Sequence, residues 1–331
     1  MFELNIGRPR PIISLIFGTC SRPFIDQKRP CNSSRKGAIR YLMADGQCED
    51  SINAMRKAMD VNGHLVYALG QNLTDRYKIM RQLGEGTFGK VLQCWDRRTR
   101  KYVAIKVIRA IKKYTDAGKI EVKILEDVMK RDSDGRSKCL KFIESFEYLG
   151  HLCIVTEELG ESLYDFLRHN QFRGFPLQLI RVFAEQILSG VEFLQTKLKL
   201  THTDLKPENI LFCNKEMEKI DVPKSEPYNL PKSLDVRIID LGSATYLNQH
   251  HSSIVCTRHY RPPEVILGLG WSYPIDMWSI GCILSELYTG DALFQTHDNI
   301  EHLALMEKII GKLLIEDIEE VNRKAQIEKE K

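Results

Sequence analysis

Residues 202–209 read HTDLKPEN, and they constrain what this chain can fold into more than any other stretch. They place a carboxylate, an ammonium and an amide close together, on Asp204, Lys206 and Asn209, and Pro207 stiffens the turn between the last two. Phosphoryl transfer needs such a set, because its catalysis is mostly positioning and charge stabilisation. Asp204 would orient the attacking hydroxyl and accept its proton, Lys206 would neutralise charge on the moving phosphate, and Asn209 would hold a magnesium ion. The alternative is a polar loop between two helices, but the H-x-D-x-x-x-x-N spacing is specific.

A glycine-rich turn lies upstream, between two strand-like runs of the sequence RYKIMRQLGEGTFGKVLQCWD. Gly84, Gly86 and Gly89 form G-x-G-x-x-G, in which glycine lets the backbone close over phosphates without an intruding side chain. The same pattern marks dinucleotide-binding folds, but those require a helix after it. The flanking strands therefore favour a hairpin that covers phosphates, with Phe88 at its tip either capping them or packing as a surface aromatic.

A lysine in an apolar strand adds a second constraint. Lys106 lies in VAIK, where an ammonium needs a partner because burying it unpaired is costly. Residues 115–130 show helical periodicity and offer two partners, Glu121 and Glu126. We expect Glu121 to pair with Lys106, since Glu126 lies further round the helix. The apolar face of this helix would carry Ile120, Ile124 and Val128.

The remaining periodic segments frame these motifs. Strands are expected at 63–70, 139–143, 151–155 and 236–242, and helices at 162–169, 177–198 and 273–288. Residues 213–235 are polar and contain proline, which predicts an exposed excursion. Asp240 ends the last strand and would chelate magnesium between the phosphates. Asp276 would brace the catalytic loop from below.

Composition excludes several classes of protein. No apolar run in the 331 residues reaches the roughly 18 residues that a membrane-spanning helix needs. The nine cysteines form no C-x-x-C pair, which argues against a zinc site or a disulfide framework and fits a reducing compartment. The length predicts roughly two domains.

Residues 1–40 predict a basic arm rather than a domain. They hold eight Lys or Arg against two Asp or Glu, a net charge of +6, so the rest of the chain carries −2 of the total +4. A basic, acid-poor start resembles an organelle transit sequence. It could equally be a nuclear-targeting or nucleic-acid-contacting arm. The remaining alternatives are a disordered tail and a wrongly chosen start codon.

Taken together, these motifs resemble the eukaryotic protein kinases over residues 77–311. GEGTFGKV, VAIK, HTDLKPEN, DLG, PPE and DMWSIG occur in the family's order and near its spacings. The chain is most similar to the LAMMER, or CDC-like, branch, whose EHLAMMER run stands here as EHLALMEK at 301–308. Leu241 in place of phenylalanine and Thr203 in place of arginine are departures that this branch shares.

The resemblance implies an α+β, two-lobed protein-kinase fold. Its N-lobe would be a small antiparallel sheet with one main helix, and its C-lobe mainly helical. The expected divisions are a basic arm (1–40), an N-terminal extension (41–76), a kinase domain (77–311) and a charged tail (312–331). Within the domain we expect the N-lobe at 77–156, the hinge at 157–160 and the C-lobe at 161–311. Because the family's domain continues with further helices, we expect a C-lobe truncated at its C-terminal end.

The resemblance also implies ATP and Mg²⁺ as cofactors and gives each site residue a role. The catalytic residues would be Asp204, Lys206, Asn209, Lys106 and Glu121. The nucleotide would contact Leu83, Gly84, Glu85, Gly86, Thr87, Phe88, Gly89, Val91, Ala104, Lys106, Thr156, Glu157, Leu159 and Leu211, with adenine on the hinge backbone. Asn209 and Asp240 would hold the metal, and Thr257 would hydrogen-bond Asp204 and Lys206.

Finally, the resemblance implies phosphorylation of serine, threonine and sometimes tyrosine in arginine/serine-rich splicing factors. Arginine-rich substrates require an acidic groove, to which Glu161 and Asp165 would contribute. We expect a monomer that acts in the nucleus, with the cytoplasm as the alternative compartment and organelle targeting left open by the arm. We expect no binding of the core to nucleic acid or to a membrane. The alternatives are an inert, scaffolding kinase fold and a small-molecule or lipid kinase, which the PPE and DMWSIG motifs disfavour.

Overall fold

The computed structural model describes residues 59–132, 134–220 and 228–312. The predicted arm, the first half of the predicted extension (41–58) and all but the first residue of the predicted tail lie outside these ranges. The strands are β1 (Tyr77–Glu85), β2 (Gly89–Asp96), β3 (Lys101–Ile108), β4 (Phe142–Tyr148), β5 (His151–Glu157), β6 (Leu200–Thr201), β7 (Ile210–Phe212), β8 (Met217–Ile220), β9 (Tyr228–Pro231), β10 (Val236–Ile238) and β11 (Thr245–Tyr246). The α-helices are α1 (Lys112–Arg131), α2 (Leu163–His169), α3 (Leu177–Phe193), α4 (Pro263–Ile266), α5 (Pro274–Thr289) and α6 (Asn299–Ile309).

Strands β1 to β5 form one antiparallel sheet in the order β1-β2-β3-β5-β4. Side chains alternate along β3, so that Val103, Ile105 and Val107 are buried in a cluster with Tyr77 of β1. Lys106 therefore lies on the opposite face, the face from which α1 approaches. The alternation of apolar residues in VAIKVI thus aims the lysine at the helix.

Helix α1 packs on the sheet through a stripe formed by Glu121, Ile124, Leu125 and Val128. The prediction for Ile120 was wrong, since this side chain is 51% exposed. Residues four apart advance by about 40° round a helix, so the row from 128 back to 120 drifts off the buried face. The stripe follows i, i+3, i+4 and i+7 from Glu121 instead.

The rest of the described chain forms a mainly helical lobe. Helix α3 buries Ile180, Phe183, Ile187 and Val191 at helical spacing, and it packs beside α5. Ser162 caps α2 in a reciprocal capping box with Asp165. The predicted helix 177–198 is α only as far as Phe193, and a π-helical turn, Leu194–Leu198, completes it.

Two short ribbons hold the catalytic loop. β6 precedes residues 202–209 and pairs with β11, and β7 follows them and pairs with β10. Because β10 and β11 flank Asp240, the two ribbons place that residue beside the loop. The predicted strand 236–242 is shorter than expected and ends at Ile238.

Three other local predictions need correction. Residues 63–70 form an isolated bridge at Leu65 rather than a strand. The strand expected from Cys139 begins at Phe142, and Cys139 instead makes a parallel bridge to Ile238. Within 213–235, β8 and β9 form an antiparallel ribbon whose Tyr228 packs on the lobe core, so this excursion is not simply exposed.

None of the helices in the described ranges is both long and apolar enough to cross a membrane.

Candidate active site

The catalytic loop rests on one buried carboxylate. Asp276 of α5 is 1% exposed and accepts hydrogen bonds from the backbone N–H groups of His202 (2.8 Å) and Thr203 (3.0 Å). Thr203 has a φ of 69°, in the left-handed region that a non-glycine residue rarely adopts. The two carboxylate oxygens of Asp276 thus hold the backbone of two successive residues in place, as predicted for this side chain.

His202 orders the loop from within. Its Nδ1 accepts from the backbone N–H of Asp204 (3.2 Å), so its Nε2 carries the proton that is donated to Ile239 O (3.0 Å). The imidazole is fully buried. It therefore joins the catalytic loop to the residue that immediately precedes Asp240.

The Asp204 carboxylate is the meeting point of the loop and a downstream segment. Its Oδ2 accepts from Lys206 Nζ (2.8 Å), and its Oδ1 accepts from the hydroxyl (2.6 Å) and the backbone N–H (3.0 Å) of Thr257. Lys206 Nζ also donates to the Thr257 hydroxyl (3.1 Å). Asn209 donates to the backbone oxygen of Asp204 at 2.9 Å. The structure thus brings Asp204, Lys206 and Asn209 together and forms the contacts expected for Thr257.

The predicted ion pair in the N-lobe is formed. Lys106 Nζ lies 2.8 and 2.9 Å from the two Glu121 oxygens and 3.2 Å from Asp240 Oδ1. Asp240 has a φ of 59°, in the left-handed region that a non-glycine residue rarely adopts. Three residues distant in sequence therefore share one charged cluster between the lobes.

Burial and charge oppose one another in this cluster. Burial acts to lower the pKa of Lys106, but Glu121 and Asp240 outweigh it, so that pKa is raised. Burial acts to raise the pKa of Asp240, but Lys106 outweighs it, so that pKa is lowered. Burial raises the pKa of Glu121 despite Lys106. Contact of both Glu121 oxygens with the ammonium nevertheless favours an ionised pair.

The glycine-rich turn is open above this cluster. A Cβ on Gly84 or Gly86 would have no atom within 4 Å, whereas one on Gly89 would lie 2.1 Å from Val107 O. Gly89 is therefore required by the close approach of β3, and the other two leave space for a ligand. The Glu85 carboxylate lies 3.9 Å from His64 and accepts a hydrogen bond from Gln82 (3.3 Å).

The predicted nucleotide-contacting side chains differ in their exposure. Val91, Ala104 and Leu211 are half-buried, in contrast to the fully buried residues beside them on their strands. Ala104 of β3 pairs with Thr156 of β5. The next residue of β5, Glu157, is the first residue of the predicted hinge. The other predicted contacts are exposed at Leu83, Thr87 and Phe88 and buried at Leu159.

Asn209 and Asp240 fit the implied magnesium ion by their chemistry. Asn209 uses its amide nitrogen on Asp204, which leaves its Oδ1 as an acceptor, and Asp240 offers a carboxylate. Mg²⁺ prefers such oxygens and completes its shell with phosphates and water. In residues 59–312, apart from the undescribed positions, no group of three or more His, Cys, Asp or Glu could hold a metal. The pair thus suits an ion that arrives with a nucleotide.

Sequence reasoning missed one contact that crosses the site. The Tyr246 hydroxyl of β11 donates to Asp127 of α1 at 2.7 Å. Burial raises the pKa of Tyr246, and Asp127 adds to that rise. The contact links the segment after Asp240 to the helix that carries Glu121. No local pattern could reveal a pair separated by 119 residues.

Comparison with known proteins gives concordant findings. A family model described as the protein kinase domain matches residues 77–330. The chain is 55% identical over 260 residues to serine/threonine-protein kinase AFC3 of Arabidopsis thaliana, covering 77% of this chain and 64% of that protein. It is 50% identical over 254 residues to dual specificity protein kinase CLK2 of Mus musculus, covering 76% and 51%. These similarities agree with the predicted LAMMER, or CDC-like, branch.

Solved structures confirm the predicted fold. The crystal structure of the PF14_0431 kinase domain aligns with a TM-score of 0.75 and 41% identity, covering 80% of this chain and 79% of that one. The two-lobed α+β architecture is therefore shared. The chain spans less than two thirds of the length of the curated relatives it matches, 64% of AFC3 and 51% of CLK2.

Proposed function

Because this chain belongs to the protein kinase family, we propose that it transfers the γ-phosphate of ATP to serine and threonine hydroxyls of proteins. The observation that carries the proposal is the cluster around Asp204. Its carboxylate is held by Lys206 and Thr257, and Asn209 lies against its backbone. Such an arrangement positions an acceptor for a hydroxyl proton beside a cation and a metal-binding amide, which is what phosphoryl transfer requires.

Each residue of the site has a distinct part in this reaction. Asp204 would orient the substrate hydroxyl and accept its proton, while Lys206 would stabilise charge on the transferred group. Lys106, fixed by Glu121, would hold the phosphates of the nucleotide. Bound Mg²⁺, held by Asn209 and Asp240, would neutralise charge on the phosphates.

The proposed substrates are arginine-rich proteins, with arginine/serine-rich splicing factors as the first candidates. Tyrosine is a further acceptor, since CLK2 of Mus musculus is named a dual specificity kinase. The two acids expected to attract arginine already have partners: Glu161 lies 3.0 Å from His169, and Asp165 lies 2.8 Å from Arg168. Glu208, exposed in the catalytic loop, is the better-placed carboxylate. We further propose a monomeric protein that acts in the nucleus.

The test is a turnover assay paired with a binding measurement. The purified chain is incubated with radiolabelled ATP, Mg²⁺ and an arginine/serine-rich protein, and the same assay is run with Asp204→Asn. The proposal expects incorporation that the variant loses. Binding of ADP is followed in parallel by thermal melting. Wild-type protein that binds ADP but incorporates no phosphate into several protein substrates would instead be an inert, scaffolding kinase fold.

A further inference from the structure

Arg109 follows β3 and contacts the tip of the glycine-rich turn. Its backbone N–H donates to Phe88 O (2.9 Å), and its Nη1 donates to Thr87 O (3.2 Å). Its Nε donates to Asn62 O (2.7 Å), which belongs to the segment 59–70 that precedes the sheet. A single side chain therefore bridges two separate stretches of backbone.

Tyr114 of α1 lies against the same assembly. The Arg109 guanidinium carbon is 4.7 Å from the centroid of the Tyr114 ring, a cation–π geometry. The Phe88 ring meets Tyr114 edge-on with centroids 5.7 Å apart, and it lies 5.9 Å from Lys106 Nζ. The tip of the turn is thus placed relative to both Lys106 and the helix that carries Glu121.

The segment 59–70 is itself anchored to the N-lobe. Leu65 is 2% exposed and belongs to the apolar cluster of the sheet. Ala110 N donates to Gly63 O at 2.8 Å, and the Tyr67 hydroxyl donates to Gln82 Oε1 of β1 at 2.5 Å. Because the segment 59–70 is fixed in the core, Arg109 can restrain the tip of the glycine-rich turn through it.

We propose that Arg109 is a positioning residue: it ties the tip of the glycine-rich turn to the segment 59–70 and holds the turn ready to cover the phosphates of a nucleotide. Gly84 and Gly86 leave the turn conformationally free, so the order of its tip must come from outside. A turn held in its binding conformation loses less entropy when the ligand arrives. The inference deepens the proposed function and rests on it only for the choice of an adenine nucleotide.

The experiment compares three variants with the wild-type chain by calorimetric binding of ADP and of adenosine. Arg109→Ala removes both side-chain hydrogen bonds and leaves the backbone bond to Phe88 intact. Arg109→Lys keeps the charge but loses the fork that reaches two carbonyls. Arg98→Ala is the matched control, because Arg98 is exposed in the turn at the opposite end of β2. Amide hydrogen exchange of residues 84–89 is measured on each, with the melting temperature.

We expect ADP affinity to fall about three- to tenfold in both Arg109 variants, because the turn must then be ordered when the nucleotide binds. Adenosine affinity should be unchanged, and exchange at residues 84–89 should be faster; the melting temperature need only show that each variant is folded at the temperature of the titrations. Arg98→Ala should match the wild type throughout.

Four outcomes would overturn the inference. Full ADP affinity in Arg109→Lys would mean that the charge attracts the phosphates and that no tether operates. An equal loss for ADP and adenosine would mean a general defect of the lobe. No loss for ADP would mean that Arg109 does not position the turn, and a gain would mean that it holds the turn away from the nucleotide. None of the readouts is of phosphate transfer, so a chain that binds ADP normally but transfers no phosphate would refute the proposed function and leave this inference standing.

Discussion

The hydroxyl of Thr257 donates a 2.6 Å hydrogen bond to Oδ1 of Asp204, across 53 residues of sequence. The backbone N–H of Thr257 donates to the same oxygen, and Lys206 Nζ contacts both side chains. One carboxylate oxygen is therefore fully engaged in fixing the rotamer of Asp204. The segment around Thr257 thus acts as the upper support of the catalytic loop, as Asp276 acts as the lower one.

Replacing Thr257 tests this support. Thr257→Val keeps the shape and the backbone bond but removes the hydroxyl, so kcat should fall about tenfold, which corresponds to roughly 1.4 kcal/mol. Thr257→Ser should restore most of the rate, because it returns the donor. Steady-state kinetics with ATP and a protein substrate provide the measurement. If the valine variant is as fast as the wild type, Thr257 does not position Asp204.

Asp204→Asn should abolish transfer while leaving nucleotide binding nearly intact. The carboxylate acts on the hydroxyl in the transition state, and general-base contributions are typically about 10²- to 10⁴-fold. Single-turnover phosphorylation and ADP affinity are measured on the same preparation. A variant that keeps more than about a tenth of the wild-type rate would show that Asp204 is neither the base nor the group that orients the hydroxyl.

The pair formed by Lys106 and Glu121 should behave as a coupled unit. Lys106→Met should weaken activity severely, and Glu121→Gln should do so less, because Asp240 still contacts the lysine at 3.2 Å. In a double-mutant cycle on kcat/KM, the second change should cost much less in the background of the first. Purely additive losses would mean that the contact seen at 2.8 Å has no functional consequence.

Local chemistry explains which parts of the site the sequence could predict. Asp204, Lys206 and Asn209 lie within one short loop, so their spacing predicts that they meet. The pairing of Lys106 with Glu121 followed from the cost of burying an unpaired ammonium in an apolar strand and from the position of Glu126, further round the helix than Glu121. Each inference needed only the period of a single element.

Other features depend on how separate elements dock, and the sequence does not encode that locally. The contacts of Tyr246 with Asp127 and of Arg109 with Thr87 require the final placement of α1 and the glycine-rich turn. Ile120 was predicted buried because a four-residue row was followed too far round the helix. The ribbon of β8 and β9 was not predicted because most of its surrounding sequence is polar, and only a few apolar residues, such as Met217, Tyr228 and Leu230, pack against the core.

Substrate preference should follow an exposed carboxylate. We expect basic peptides to be phosphorylated in preference to acidic ones, since an acidic groove would attract arginine. Glu208→Gln should reduce kcat/KM for an arginine-rich peptide about two- to fivefold, the scale of an exposed charge pair. Glu161→Gln is the matched control and should change it less, since His169 already occupies that side chain. A library screen that selects acidic peptides would contradict both the groove and the proposed substrates.

The segment between Asp240 and Glu264 is already ordered by contacts that need no phosphate. Thr203, which stands where many kinases have a phosphate-binding arginine, donates its hydroxyl to Ser243 O at 2.9 Å. Arg261 donates to Cys256 O at 2.8 Å, and Arg258 donates to Asn299 at 2.8 Å. The segment contains seven hydroxyl-bearing residues: Ser243, Thr245, Tyr246, Ser252, Ser253, Thr257 and Tyr260.

We therefore expect activity to be independent of phosphorylation of this segment. A threonine at position 203 cannot make the bidentate contacts by which an arginine holds a phosphate, and Arg258 and Arg261 are engaged elsewhere. A phosphate on Thr257 would itself remove the donor that fixes Asp204. The test is to treat the purified protein with a phosphatase, remove the phosphatase and measure turnover, with mass spectrometry to establish that the segment is unmodified. The rate should stay within about twofold. If the rate instead falls by more than about tenfold, or roughly 1.4 kcal/mol, and rephosphorylation at one segment site restores it, the segment is a conventional switch that uses another basic residue.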